Sequence, residues 1–248
     1  LVRMTDARVT VDLDGQVMLI GLNRPAKRTA ADWRLLQELA LAYGSFERNP
    51  EARGALVDAH GEHFTGGLDL ADVVPHASPQ GLDVVPEGGI DPWQVSGANL
   101  SKPVVIAVQG ICLTLGIELI LASDIAVAAE STTFGQIEVA RGILPFGGAT
   151  IRLPRAVGWG NAMRWILTGD SFDAAEAHRS GLVQEVVPDG EQYARGLEHA
   201  QRIAAQAPLA VQAALANSKL AVREGDAAAE AQLQPTLVKL ASSEDARI

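Results

Sequence analysis

Apolar and polar positions alternate in distinct blocks along the chain. β-Branched-rich runs over Arg8 to Asp14 and Gln16 to Asn23 flank Asp14-Gly15, a pair that tolerates the positive φ of a tight turn, so the chain is expected to open with a β-hairpin. Beyond Asn23-Arg24-Pro25, apolar residues at 33, 35, 36, 39, 40, 42, 43 and 46 form one helical face and predict a helix over 32–47. Gly54 to Ala59 is a buried-strand run, leading into His63-Phe64-Thr65-Gly66-Gly67-Leu68-Asp69, where two glycines allow the backbone to bend tightly or approach a ligand. Prolines at 75, 79, 86 and 92 and glycines at 81, 88 and 89 break regular structure between 73 and 97, a length typical of functional lids or mobile segments. Pro103 to Val108 then predicts a buried strand, 110–115 a turn, 116–122 a short helix and 124–129 another buried strand. Residues 159–167 and 173–180 read as helices and 182–187 as a final strand, and the Ala-, Gln-, Leu- and Glu-rich stretch after Asp189 reads as about three helices. Strands near 54, 104, 124 and 182, each with an adjacent helix, imply a stacked strand-helix α/β body.

Length places the boundary of that body. A chain of 248 residues suits one catalytic body with a smaller appendage, and the change of pattern near 190 divides it into a core over 1–190 and a helical region over 191–248. The balance of 20 Lys and Arg against 30 Asp and Glu gives a net charge of −10. That sign disfavours nucleic-acid or anionic-membrane partners, and an anionic ligand must be held by local cations. A single cysteine, Cys112, excludes an intrachain disulfide framework and fits a reducing compartment. The apolar stretch 103–129 is interrupted by Gln109, Glu118 and Asp124, which argues against a membrane span. Leu1 to Asp6 lacks the apolar region of a signal peptide, so a cytoplasmic location is expected.

Two glutamates stand out against apolar surroundings. Glu118 follows a Gly-containing turn and sits among Ile117, Leu119, Ile120 and Leu121, which predicts a buried carboxylate. By itself it reads equally as a first-turn glutamate stabilised by the helix dipole or as a functional group. Glu138 follows Phe134-Gly-Gln-Ile137 and by itself reads as a solvated loop charge. His60 and His63 have no third partner at metal-ligand spacing, so no metal site is expected. Cys112 reads as a small buried hydrophobe, and Trp93 as a pocket wall or a loop anchor. No GxGxxG follows a strand, so the glycines are not a dinucleotide fingerprint.

The segment Val108-Gln-Gly-Ile-Cys-Leu-Thr-Leu-Gly-Ile-Glu118-Leu-Ile-Leu-Ala-Ser-Asp124 resembles the central motif of the crotonase (enoyl-CoA hydratase/isomerase) superfamily. Asn23-Arg24-Pro25 with Lys27-Arg28, Phe64-Thr-Gly-Gly-Leu-Asp69, Phe134-Gly-Gln-Ile-Glu138 with Gly142, Pro145 and Gly148, Arg152 to Gly158, Leu167-Thr-Gly-Asp170 and Ala174 to Val183 match its other motifs in order. The resemblance implies a spiral of ββα turns with a C-terminal helical region, assembled as a homotrimer or a dimer of trimers. It also implies an acyl-CoA substrate, with coenzyme A arriving as part of that substrate and no separate cofactor.

Carried over by position, Glu118 matches the glutamate that activates water and Glu138 the one that delivers a proton to the α-carbon. The implied oxyanion-hole donors are the backbone N–H groups of Leu68 and Leu115. Lys27, Arg28, Ala30, Gly66, Gly67, Asp69, Leu70 and Gly116 fall where the family holds CoA and substrate. Both glutamates together resemble a hydratase, whereas isomerases of the family generally keep only the second. Double-bond isomerisation, thioester hydrolysis and C–C cleavage are alternatives on the same scaffold, and a non-catalytic acyl-CoA-binding protein is an alternative of another class. Thr114-Leu115-Gly116 stands where the family usually has Gly-Gly-Gly, Ile137 where it has proline, Thr29 where it has asparagine and Phe146 where it has glycine. These departures imply an altered acyl pocket. Where relatives continue into a last helix, this sequence reads Ser242 to Ile248.

Overall fold

The computed structural model describes residues 7–243; the readings made for Leu1 to Asp6 and for a helix after Ile248 lie outside them. The expected hairpin forms from β1 (Val9–Asp14) and β2 (Val17–Leu22), closed at Asp14-Gly15 with Gly15 at φ +58°. A 3-10 turn at Pro25–Lys27 precedes α1 (Trp33–Arg48). The Asp32 carboxylate caps α1 by accepting the N–H of Leu35 at 2.9 Å, and Leu35, Leu36, Leu39, Tyr43 and Phe46 form its buried face. The chain continues through β3 (Gly54–Ala59), the single-turn α2 (Leu70–Val73), a 3-10 turn at Val74–His76 and β4 (Val104–Val108). Next come β5 (Ile111–Leu113), α3 (Leu115–Ala122), β6 (Ile125–Ala129) and β7 (Thr133–Gly135). A 3-10 turn at Glu138–Arg141 leads to α4 (Ala149–Val157) and α5 (Trp159–Thr168), then β8 (Ser171–Asp173), α6 (Ala174–Ser180) and β9 (Glu185–Val187). Three helices, α7 (Gln192–Ala204), α8 (Pro208–Glu224) and α9 (Asp226–Ala241), complete the described chain.

Two sheets share these strands. The larger runs β1-β2-β3-β4-β6-β9 and the smaller β5-β7-β8. From β4 onward the chain steps from one sheet to the other and back, so each strand pair with its helices makes one turn of a spiral. Only the β1–β2 edge of the larger sheet is antiparallel; its other ladders are parallel. Parallel strands need both faces covered, and all five residues of β4 are buried. The period-2 alternation assigns the faces. Ala55, Val57, Val104, Ile106 and Val108 enter the main core, while Leu56, Val105 and Ala107 form a second cluster with Ala200 and Ala204 of α7. Gly196 makes that docking close: a Cβ there would stand 2.9 Å from Leu56 Cδ1 and 3.2 Å from Ala107 Cβ. The outer pair α8 and α9 pack on each other and leave Leu209, Val222, Leu233, Leu237 and Val238 exposed.

The structure departs from the sequence pattern in three places. The turn expected at 110–115 contains β5, and β7 and β8 join it in a sheet of three-residue strands, too short to show alternation. The final strand is confined to 185–187 because Leu182 and Val183 donate their N–H groups to Ala177 O at the end of α6. The helix α4 contains Pro154, a residue that ordinarily marks a helix boundary. Among the described residues no helix is long and apolar enough to cross a membrane.

Candidate active site

The turn that opens α3 sets the geometry. Thr114 caps the helix at φ 49°, ψ −112°, a conformation costly for a β-branched residue. Its N–H donates to Gly135 O at 2.8 Å, tying the turn to β7. Its Oγ1 is buried without a hydrogen-bond partner among the described residues. Leu115 follows as the first helical residue, and Gly116 is packed hard: a Cβ there would lie 2.7 Å from Thr65 Cγ2 and 2.9 Å from Cys112 Sγ. Glu118 lies in the first turn of α3, two residues beyond that packed glycine.

A cavity of about 910 Å³ opens beside this turn, between the 66–70 loop, the 81–96 segment and the 137–147 segment. Glu118 and Glu138 both border it and are 3% and 5% exposed. Oε1 of Glu118 accepts the N–H of Ala149 at 3.1 Å. Burial nonetheless pushes its carboxyl up to about 7, against the opposing effects of the Ala149 and Gly147 N–H groups and the Arg152 guanidinium. Glu138 opens the 3-10 turn, and its Oε2 has no hydrogen-bond partner among the described residues. Burial pushes it up to about 7 as well, and the charge of Glu118 adds to that shift. The loop charge read from the sequence is thus a buried carboxyl, because the 3-10 turn folds it inward.

Two backbone donors belong to residues that line the same cavity. Ala31 brackets the 67–69 strand-like stretch, donating to Gly67 O at 2.8 Å and accepting from Asp69 N at 2.9 Å. Leu68 N–H between them has no partner among the described residues, and neither has Leu115 N–H. Both residues border the cavity.

Among the other residues singled out by sequence, Lys27, Ala30, Gly66, Gly67, Asp69 and Leu70 border the cavity, and Arg28 and Gly116 do not. Arg28 fixes the loop through its backbone, its carbonyl accepting from Gly66 N at 2.7 Å. The Asp69 carboxylate is engaged by Arg24 at 2.8 Å, and Arg24 also pairs with Asp32 at 3.1 Å. His60 meets Thr10 Oγ1 at 2.7 Å, and His63 Nδ1 accepts from Ile111 N at 3.2 Å. Among the described residues no group of His, Cys, Asp and Glu is placed to hold a metal ion. Trp93 both lines the cavity and anchors its loop. Asp91, Arg141 and Gly147 line the cavity and Ala149 bonds Glu118, and no sequence signal marks these four.

The fold and site define an α/β enzyme with two buried carboxyls, both pushed up to about 7, on a cavity also bordered by Leu68 and Leu115. The sequence model described as enoyl-CoA hydratase/isomerase matches residues 12–247, and the chain belongs to that family. The crystal structure of a probable enoyl-CoA hydratase/isomerase from Mycobacterium abscessus superposes with a TM-score of 0.93 at 59% identity, covering 97% of this chain and 92% of that one. An enoyl-CoA hydratase of Mycobacterium tuberculosis is 34% identical over 209 residues, 83% of this chain and 77% of the relative. The 2,3-dehydroadipyl-CoA hydratase of Escherichia coli is 32% identical over 243 residues, 96% of this chain and 92% of the relative.

Proposed function

We propose that the protein is a hydro-lyase that reversibly adds water across the double bond of a trans-2-enoyl-CoA. The observation that carries this reading is the pair Glu118 and Glu138, both buried on one cavity and both pushed up to about 7. At neutral pH such a pair readily holds one proton between its members, which is what a reaction with one base and one acid needs. Ionised Glu118 takes a proton from water as the water oxygen bonds to the β-carbon. The π electrons move onto the thioester oxygen, where Leu68 and Leu115 N–H groups stabilise the enolate. Protonated Glu138 then gives its proton to the α-carbon, and solvent restores the starting protonation of the pair. Lys27, bordering the cavity in an otherwise acidic chain, supports a role in holding the CoA phosphates.

The test is a panel of 2-enoyl-CoA thioesters followed by loss of the enoyl absorbance. Wild type is expected to turn over, and Glu118→Gln and Glu138→Gln to lose about 100-fold or more in kcat. Binding without turnover across the panel would overturn the hydratase reading and leave the other acyl-CoA reactions and the acyl-CoA-binding alternative. The exposed apolar residues of α8 and α9 support self-assembly, as a trimer or a pair of trimers in the cytoplasm, and sedimentation of the full chain checks it.

A further inference from the structure

The stretch from Ala77 to Pro103 forms no helix or strand, yet its middle is fixed by a dense set of bonds. The buried Asp91 carboxylate accepts the N–H groups of Trp93, Val95 and Ser96, each at 2.9 Å, and the Ser96 hydroxyl at 3.2 Å. From α4, Arg152 donates Nη1 to Trp93 O at 2.5 Å and Nη2 to Gln94 O at 2.8 Å. These bonds seat the Trp93 indole, 6% exposed, in the cavity wall. Its Nε1–H donates to Leu115 O at 3.0 Å. The ring edge also abuts Gly147, where a Cβ would meet Trp93 Cδ1 at 3.0 Å and Glu118 Oε2 at 2.5 Å.

The Leu115 amide needs such a restraint. It is the first unit of α3, without an intrahelical acceptor for its N–H, and the preceding Thr114 is far from helical geometry. Its peptide plane is held on the carbonyl side by a single long helical bond, Thr114 O accepting Glu118 N–H at 3.2 Å. Two shorter bonds restrain the peptide units on either side of it: Thr114 N–H to Gly135 O at 2.8 Å behind, and the Trp93 indole on Leu115 O at 3.0 Å ahead.

We propose that Trp93, seated by Asp91 and Arg152, is a positioning residue that holds the Leu115 N–H in line with the thioester oxygen and so couples the 91–96 loop to the oxyanion turn. The proposal rests on the hydratase reading for its catalytic consequence. Its structural half stands on the bonds above. A donor displaced by a fraction of an ångström loses much of its effect on the transition state while still permitting substrate to bind.

The experiment compares wild type with Trp93→Phe, which keeps a ring in the wall and removes the N–H. Steady-state kinetics on a 2-enoyl-CoA is paired with amide hydrogen exchange over residues 114–119 of the ligand-free protein. The expected result is a fall in kcat on the order of tenfold with KM within about twofold, and exchange over 114–119 faster by about tenfold. Wild-type kcat, or unchanged exchange, overturns the proposal. If wild type turns over no 2-enoyl-CoA, the hydratase reading fails and the exchange comparison alone decides whether the coupling exists. Should Trp93→Phe not fold, as read by its melting curve, Asp91→Asn takes its place with the same readouts, the same expected changes and the same overturning result.

Discussion

Ala149 donates its backbone N–H to Oε1 of Glu118 across 3.1 Å, so a carboxylate carried by α3 is aimed by the first turn of α4. One N–H does not offset the desolvation, and the group is pushed up to about 7; Glu138, on the same cavity, shares that position. Burial raises both, and the charge of Glu118 further raises Glu138, so the two titrate over the same range. The expected pH profile of kcat/KM is a bell centred near 7. Below it, the base is lost as the pair takes up a second proton; above it, the acid is lost as the last proton leaves. A profile flat between pH 5 and 9 would remove the pair from the chemistry.

Folding stability should carry the same signature. The folded-state pKa of Glu118 lies above its ordinary value of 4.5, so its protonation favours the folded form. That contribution is fully present below about 4.5 and is lost as pH rises through about 7. Glu118→Gln, which cannot ionise, is expected to be the more stable protein at pH 9 by on the order of 2 kcal/mol. The gain should disappear at pH 4.5. Urea denaturation at the two pH values reads it, and a variant weaker than wild type at pH 9 would contradict a desolvated, ionised Glu118.

Gly147 is the tightest point of the site, since an added Cβ would stand 2.5 Å from Glu118 Oε2 and 3.0 Å from Trp93 Cδ1. Gly147→Ala must therefore displace the carboxylate or the indole. A loss of kcat on the order of 100-fold is expected, with a fall in melting temperature that reflects overpacking of about 1–3 kcal/mol. Gly142→Ala is the control for backbone effects. Gly142 has positive φ and nothing within 4 Å of its Cβ position, so it should lose stability with little change in kcat.

The part of this architecture legible in the sequence is the part written in hydrophobic period. The β1–β2 hairpin, β3, β4, β6 and the buried face of α1 each span enough residues for alternation or helical spacing to appear. The smaller sheet does not, because Ile111–Leu113, Thr133–Gly135 and Ser171–Asp173 offer three residues each and are held by register with one another. The same division runs through the site. Apolar neighbours predict the burial of Glu118 directly. Glu138 is buried by a 3-10 turn and a cavity wall assembled from distant segments, so only the resemblance of whole motifs marks it. Trp93 sits in a Pro- and Gly-rich stretch without period, and its partners Leu115 and Arg152 lie 22 and 59 residues away. No local pattern encodes those bonds.

Lys27 lies at the end of a 3-10 turn and borders the cavity, while Arg28 beside it does not. If Lys27 faces the CoA phosphates, its effect is electrostatic and confined to the nucleotide part of the substrate. Lys27→Ala is then expected to raise KM for an enoyl-CoA about fivefold, on the order of 1 kcal/mol, while leaving kcat unchanged. With the corresponding pantetheine thioester, which lacks the nucleotide, wild type and variant should have the same KM. Added salt should narrow the difference seen with the full CoA ester, because exposed charge pairs are screened. Arg28→Ala, measured alongside, should change KM less than Lys27→Ala does. Equal effects of Lys27→Ala on both thioesters would place the lysine's contribution in the loop rather than on the phosphates.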